Sequence, residues 1–198
     1  ADIRALSDGV TTDDIFDMVK KLREKTEIPL VFMTYLNPVF HYGYEAFFER
    51  CQDVGIDGII IPDLPFEEKE EVDVVASRYG IDLISMIAPT SKERIRKIAK
   101  GAKGFLYVVS SMGVTGERTN ITTDIGGMLK EIRSVSSVPA AVGFGIHTPD
   151  QAAEISKTAD GVIVGSAVVK LIEKYGSHAG GHLYTYVRMM KETVSHSE

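Results

Sequence analysis

Three glycine-bearing segments late in the chain carry the residue types that hold an anion. They are Ser110-Ser111-Met112-Gly113-Val114-Thr115-Gly116, Gly143-Phe144-Gly145-Ile146 and Gly165-Ser166, and each follows a short apolar run. Gly165-Ser166 opens the helical stretch Ala167-Val168-Val169. Ser166 is expected to cap that helix, whose first turn leaves backbone N–H groups without intrahelical partners. Those donors and the helix dipole make an anion site. Gly143 and Gly145, lacking Cβ, let backbone approach the same anion, and Gly113, Gly116 and the Thr115 hydroxyl are placed to close over it. Any one such glycine also serves as a plain tight turn. Their recurrence after consecutive strands favours phosphate binding. The polar stretch from Ser111 to Thr123, with Glu117, Arg118 and Asn120, has no apolar period. Loops longer than about 12 residues are usually functional or disordered, and a lid over the phosphate is expected here.

Other candidates read less sharply. Tyr107 lies among Phe105, Leu106, Val108 and Val109, as an inward hydroxyl near a ligand or as a core aromatic. Met33 and Phe144 are placed to line an apolar pocket or to fill the core. Asp63 follows a strand between Pro62 and Pro65, as a general base or as a turn cap. Glu67-Glu68 suit a helix N-terminus. The histidines His41, His147, His178, His182 and His196 lack a catalytic arrangement, and Gly180-Gly181 weakens a helical metal pair from His178 and His182. No metal site is expected. Cys51 has no adjacent His and reads as buried structure.

The elements that must position these groups alternate. Strand-like runs cover Pro29–Thr34, Gly58–Ile61, Ile81–Ile87, Gly104–Ser110, Pro139–Phe144 and Gly161–Val164. The first reads as buried on both faces. Amphipathic helices fall over Ala46–Val54, Glu67–Tyr79, Lys92–Ala99, Asp124–Val135 and Pro149–Thr158, with Ala167–Tyr175 and Leu183–Val194 closing the chain. Near the start, Thr11-Thr12-Asp13-Asp14 signals a further helix, with Ile15, Met18, Val19 and Leu22 at helical spacing. Such repetition means parallel strands with right-handed crossovers. A doubly wound sheet would carry a GxGxxG turn after its first strand, and none is present. Late glycine turns favour a TIM (β/α)₈ barrel. Six strand segments then imply that the first two βα units are missing from this chain and precede Ala1. Residues 1–198 would form a single barrel domain, units three to eight.

Composition excludes several classes. With 198 residues, a net charge of −6 and pI near 5.4, the chain has no basic footprint for non-specific nucleic-acid binding. One cysteine allows no intrachain disulfide and suits a reducing cytoplasm. No apolar run approaches the roughly 20 residues of a membrane span, and no signal peptide is read. The first residue is Ala1, which suggests a processed or truncated start.

The strand-end phrases also carry a resemblance. Phe32-Met33-Thr34-Tyr35-Leu36-Asn37-Pro38, Ile61-Pro62-Asp63-Leu64-Pro65, and Tyr107-Val108-Val109-Ser110 with Gly113-Val114-Thr115-Gly116 resemble the tryptophan synthase α-subunit family. So do Val142-Gly143-Phe144-Gly145-Ile146 with Pro149, and Gly161-Val162-Ile163-Val164-Gly165-Ser166-Ala167. The match runs in order through essentially the whole chain. It implies a TIM barrel lyase that cleaves indole-3-glycerol phosphate to indole and glyceraldehyde 3-phosphate by a retro-aldol reaction in tryptophan biosynthesis. It implies a partner, the pyridoxal-phosphate β subunit, in an α2β2 complex that receives indole through a tunnel, with no cofactor on the α subunit. By position, Gly116, Gly145, Gly165 and Ser166 resemble the phosphate-binding residues. Met33, Tyr35, Tyr107, Thr115 and Phe144 resemble those around the indole and glycerol. Tyr35 through Phe40, including Asn37 and Pro38, resemble elements facing the β subunit, as do Asp63 and Pro65.

The family's two catalytic carboxylates are a Glu in the second strand and an Asp in the loop after it. Both are expected upstream of Ala1, so no catalytic residue is assigned within the chain. General acid–base catalysis contributes typically about 10²–10⁴-fold per centre, and the chain alone is expected to have negligible lyase activity. The strands at Leu30–Thr34 and Gly161–Val164 would be unpaired edges that invite association. Two further readings stand beside the lyase. One is another phosphate-binding barrel of the same pathway, such as phosphoribosylanthranilate isomerase or indole-glycerol phosphate synthase. The other is a non-catalytic, ligand-holding regulatory subunit of the β partner.

Overall fold

A computed structural model of the chain describes residues 2–110, 124–143 and 145–195. It divides into two compact units, Ala1–Ser85 and Met86–Glu198.

The first unit runs through α1 (Asp2–Ser7), α2 (Thr12–Arg23), β1 (Val31–Met33), α3 (Leu36–Tyr42), α4 (Tyr44–Val54) and β2 (Gly58–Ile60). A 3₁₀ turn over Phe66–Glu68, α5 (Lys69–Arg78) and β3 (Asp82–Leu83) complete it. The strands pair in parallel in the order β1-β2-β3, with Val31 opposite Gly58 and Gly58 opposite Asp82. Helix α2 begins at a reciprocal capping box. The Asp14 N–H donates to Thr11 Oγ1 (3.2 Å), and the Thr11 N–H donates to Asp14 Oδ2 (2.8 Å). One face of α2 then meets the sheet through Phe16, whose ring contacts Phe32 and Tyr42 edge-on at centroid distances of 5.5 and 5.7 Å. Such pairs add about 0.5–1.5 kcal/mol beyond area burial.

One expectation for this unit needs correction. β1 is not buried on both faces: Val31 is 37% and Met33 54% exposed, and only Phe32 turns into the aromatic cluster. An apolar run shows that one face is covered and leaves the second face open. The segment after β1, to which the sequence reading gave no element, is helix α3. Pro38 is its third residue, and the first four N–H groups of a helix have no intrahelical acceptor, so a proline there costs no bond.

The second unit runs from β4 (Ser85–Ile87), which begins at the division, through α6 (Lys92–Lys100), β5 (Leu106–Val109), α7 (Ile125–Arg133) and β6 (Ala140–Gly143). α8 (Pro149–Ser156), β7 (Gly161–Val162), α9 (Ser166–Tyr175), a 3₁₀ turn over Gly176–His178 and α10 (Ala179–Ser195) follow. The sheet order is β4-β5-β6-β7, with β5-β6 and β6-β7 parallel. The single run Ile81–Ile87 is thus two strands, β3 and β4, in different sheets. The Ile84 N–H still donates to Ile59 C=O at 2.9 Å. The stretch reads as one strand-like run, and it holds no sign of the change of pairing partner.

Each unit carries the same side-chain clamp at the start of its strands. In the first, Arg23 Nε donates to Gly55 C=O (2.7 Å), its guanidinium pairs with Asp57 (2.6 Å), and the Leu30 N–H donates to Asp57 Oδ2 (2.7 Å). In the second, Arg133 donates to Thr158 C=O (2.7 Å) and pairs with Asp160 (3.3 Å), while the Ala140 N–H donates to Asp160 Oδ2 (2.9 Å).

Candidate active site

The second unit gathers three strand ends. Val109 lies opposite Gly143, and Val142 opposite Val162. Beyond those pairs the Ser110 N–H donates to Gly143 C=O (3.0 Å), and the Ile163 N–H donates to Val142 C=O (2.8 Å). Parallel strands at this spacing lie about 4.8 Å apart, so the chain leaves β5, β6 and β7 at one end of the sheet within about 10 Å. Tyr107, Gly145, Gly165 and Ser166 share this unit. Thr115, Gly116 and Phe144 lie outside the described residues, as does the expected lid.

Tyr107 and Gly143 share one face, because Tyr107 pairs with Ala141 and Val109 with Gly143. A Cβ built on Gly143 would stand 2.4 Å from the Tyr107 hydroxyl and 2.7 Å from its ring carbons. The absent side chain is therefore filled by the tyrosine ring. Burial pushes the Tyr107 hydroxyl above its usual value, which keeps it protonated and able to donate.

Gly145 has φ +81, a left-handed conformation that suits glycine. The helix after β7 starts one residue earlier than expected. Gly165 is its N-cap and Ser166 is its first helical residue, so the cap position has no side chain to bond. The first intrahelical bond runs from the Val169 N–H to Gly165 C=O (3.1 Å). The amides of Ser166, Ala167 and Val168 precede it and point out of the helix end. With the positive end of the dipole, this is an arrangement that attracts a dianionic ester.

The remaining candidates lie in the first unit. Met33 and Tyr35 are exposed, at 54% and 60%. Asn37 and Pro38 are exposed in the first turn of α3, and Pro65 is exposed at the head of the 3₁₀ turn. Asp63 is exposed, and its Oδ1 accepts the Leu36 N–H at 2.9 Å, so this carboxylate ties the segment after β2 to the start of α3. Of its two sequence readings, the turn-capping one describes this contact.

Several residues do other work. Cys51 is buried, and burial pushes its thiol up to about 12, which makes it unreactive. His182 stacks on Tyr175 with centroids 3.6 Å apart. Glu131, a buried carboxylate that no sequence signal marked, pairs with Lys92 (3.2 Å) and Arg96 (2.5 Å) on α6. Among the described residues no cluster of His, Cys, Asp or Glu could hold a metal ion, and no helix is long and apolar enough to cross a membrane.

Known proteins match this geometry and sequence. The family model for tryptophan synthase alpha chain matches residues 1–195. The chain belongs to that family. The tryptophan synthase alpha chain of Lacticaseibacillus casei is 48% identical over 194 residues, 98% of this chain and 73% of that protein. That of Lactiplantibacillus plantarum is 49% identical over 195 residues, 98% of this chain and 74% of that protein. Among solved structures, the tryptophan synthase complex from Pyrococcus furiosus superposes with a TM-score of 0.87 at 31% identity, covering 96% of this chain and 77% of that one. The tryptophan synthase alpha chain from Legionella pneumophila gives 0.84 at 34%, covering 97% and 72%. The fold class is accordingly the TIM barrel of this family. Sequence reasoning named His147 only as lacking a catalytic arrangement and did not mark Tyr186. The two are joined across 39 residues, a span that no local pattern reports.

Proposed function

We infer that this chain is the carbon–carbon lyase of tryptophan synthase, cleaving indole-3-glycerol phosphate to indole and glyceraldehyde 3-phosphate. The observation that carries the reading is that Ser110, Gly143 and Gly145, and Gly165 and Ser166 follow neighbouring strands at one sheet end, with the α9 amides at the head of the helix after β7. Gly145, Gly165 and Ser166, with Gly116, bind the phosphate. Tyr107 contributes a protonated hydroxyl beside the glycerol. Met33, Tyr35, Thr115 and Phe144 are assigned to the indole and glycerol on the family pattern alone.

Breaking the carbon–carbon bond needs a proton delivered to indole C3 and a proton removed from the glycerol hydroxyl. The bonding pair then returns to the indole ring as the aldehyde forms. Two positioned carboxyl groups do this, each contributing about 10²–10⁴-fold. Asp63, the carboxylate at a strand end, is engaged with the Leu36 amide. We therefore assign binding and orientation to residues 1–198, and negligible turnover to a polypeptide of these residues alone.

The chain acts with a β subunit in an α2β2 assembly. Asn37, Pro38, Asp63 and Pro65 face that partner. The α chain holds no cofactor of its own, and the pyridoxal phosphate belongs to the β subunit. The cytoplasm is the compartment, where the lone buried thiol of Cys51 stays reduced.

Titration calorimetry with indole-3-glycerol phosphate, run beside an indole-release assay, tests this. Saturable binding with little release by residues 1–198 is expected. Release near that of an intact enzyme contradicts the assignment of the chemistry. Absence of binding contradicts the assignment of the phosphate site.

A further inference from the structure

The turn bearing Gly145 is held by side chains from two helices of its own unit. The Gly145 carbonyl lies 2.8 Å from His147 Nδ1. A carbonyl oxygen only accepts, so Nδ1 carries the proton in this contact. The His147 carbonyl accepts from the Tyr186 hydroxyl of α10 at 2.9 Å. The His147 N–H donates to Gln151 Oε1 of α8 at 2.9 Å, and the same oxygen takes the Thr148 N–H at 3.2 Å. Thr148 Oγ1 accepts the Gln151 N–H at 3.3 Å, which closes the capping box of α8. His147 is thus fixed at its N–H and its carbonyl, and its ring then fixes Gly145.

The peptide after Gly145 is trans, since the described chain has no cis bond. In a trans peptide the C=O and N–H point opposite ways. Drawing the Gly145 carbonyl toward His147 therefore turns the Ile146 N–H away from it. A glycine in this region has wide freedom, and freezing the turn before the ligand arrives removes an ordering cost from binding.

We propose that His147 is a positioning residue for the phosphate: anchored by Tyr186 and Gln151, it aims the Gly145–Ile146 peptide N–H at the bound anion. The proposal rests on the phosphate reading given under Proposed function. Titrating the full-length chain with inorganic phosphate, and separately with indole, tests it. His147→Ala weakens phosphate about tenfold and Tyr186→Phe about threefold, the scale of one lost hydrogen bond. Indole affinity stays the same in both. His147→Asn keeps an N–H donor on the atom bonded to Cγ, where Nδ1 sits, and restores phosphate affinity. General loosening of the fold would weaken indole and phosphate alike and would not be rescued by Asn; either result overturns the brace. Phosphate binding that ignores His147→Ala also overturns the brace and leaves the phosphate reading standing. A wild-type chain that takes up no phosphate overturns both.

Discussion

The two units solve one problem with the same parts and depend on them differently. In each, an arginine in the last helical turn precedes a proline by six residues (Arg23 and Pro29, Arg133 and Pro139), and an Asp-Gly pair opens the next strand (Asp57-Gly58, Asp160-Gly161). In each, that aspartate holds both the arginine and an N–H at the start of the preceding strand, Leu30 just before β1 and Ala140 at the head of β6. The strands they pin are unlike. β2 is fully buried, has a partner on each side, and pairs at three positions with β1. β7 is half-buried, ends its sheet, and pairs at two positions with β6. A clamp on a strand already held by its neighbours adds stability. On a short terminal strand it also sets the register of whatever follows, here Gly165 and the amides of α9.

The sharpest way to break this comparison is at corresponding positions three residues past the clamped N–H, Met33 in β1 and Gly143 in β6. Gly143→Ala forces the buried Tyr107 ring aside. Overpacking of this kind costs about 1–3 kcal/mol, and phosphate-ester affinity falls with it. Met33→Ala, at an exposed site, changes stability by less than about 0.5 kcal/mol. Chemical denaturation of both variants checks this, and equal losses would erase the distinction.

The clamps themselves come next. Asp57→Ala and Asp160→Ala each lose hydrogen bonds worth about 1 kcal/mol apiece. Both are expected to lower the denaturation midpoint. Only Asp160→Ala also weakens phosphate binding, by about three- to tenfold. If Asp57→Ala weakened phosphate equally, the register argument for β7 would be wrong.

The smallest effect is a pH dependence. The Lys92 ammonium, and then the Arg96 guanidinium, hold the Glu131 carboxyl below its ordinary value of 4.5, against the opposing effect of burial. A carboxyl depressed in the folded state contributes stability that is complete above its unfolded pKa and is lost as pH falls through the folded one. Asp14 in the first unit has the same sign, through its bonds to Thr11. Glu131→Gln should therefore lower the midpoint at pH 7, where the contribution is complete, and flatten part of the decline below about pH 5. A steeper acid decline in that variant would contradict the assignment.

What the sequence made legible was whatever short-range pattern encodes. The helix start at Thr11-Thr12-Asp13-Asp14, the strand–helix alternation and the glycine turns at Gly145 and Gly165 all follow from local rules. Helix α3 was given no element in the sequence reading, and Pro38 in its first turn leaves it intact. The exposed face of β1 was hidden because apolar residues at every position cannot say which side is covered. Ser166 was one residue off as a cap because serine and glycine both suit that place. The Tyr186–His147 bond and the Glu131 ion pairs join residues far apart in sequence. Their signal is tertiary, and a single sequence holds no trace of it.

The central claim is that one anion meets the ends of β6 and β7 together. Following the backbone amides of Gly145, Ile146 and Ser166 by NMR while inorganic phosphate is added tests it most directly. The account predicts saturable shifts at all three with a common dissociation constant, and none at Gly58 or Leu30. Shifts confined to one of the two strand ends, or absent from both, would contradict it.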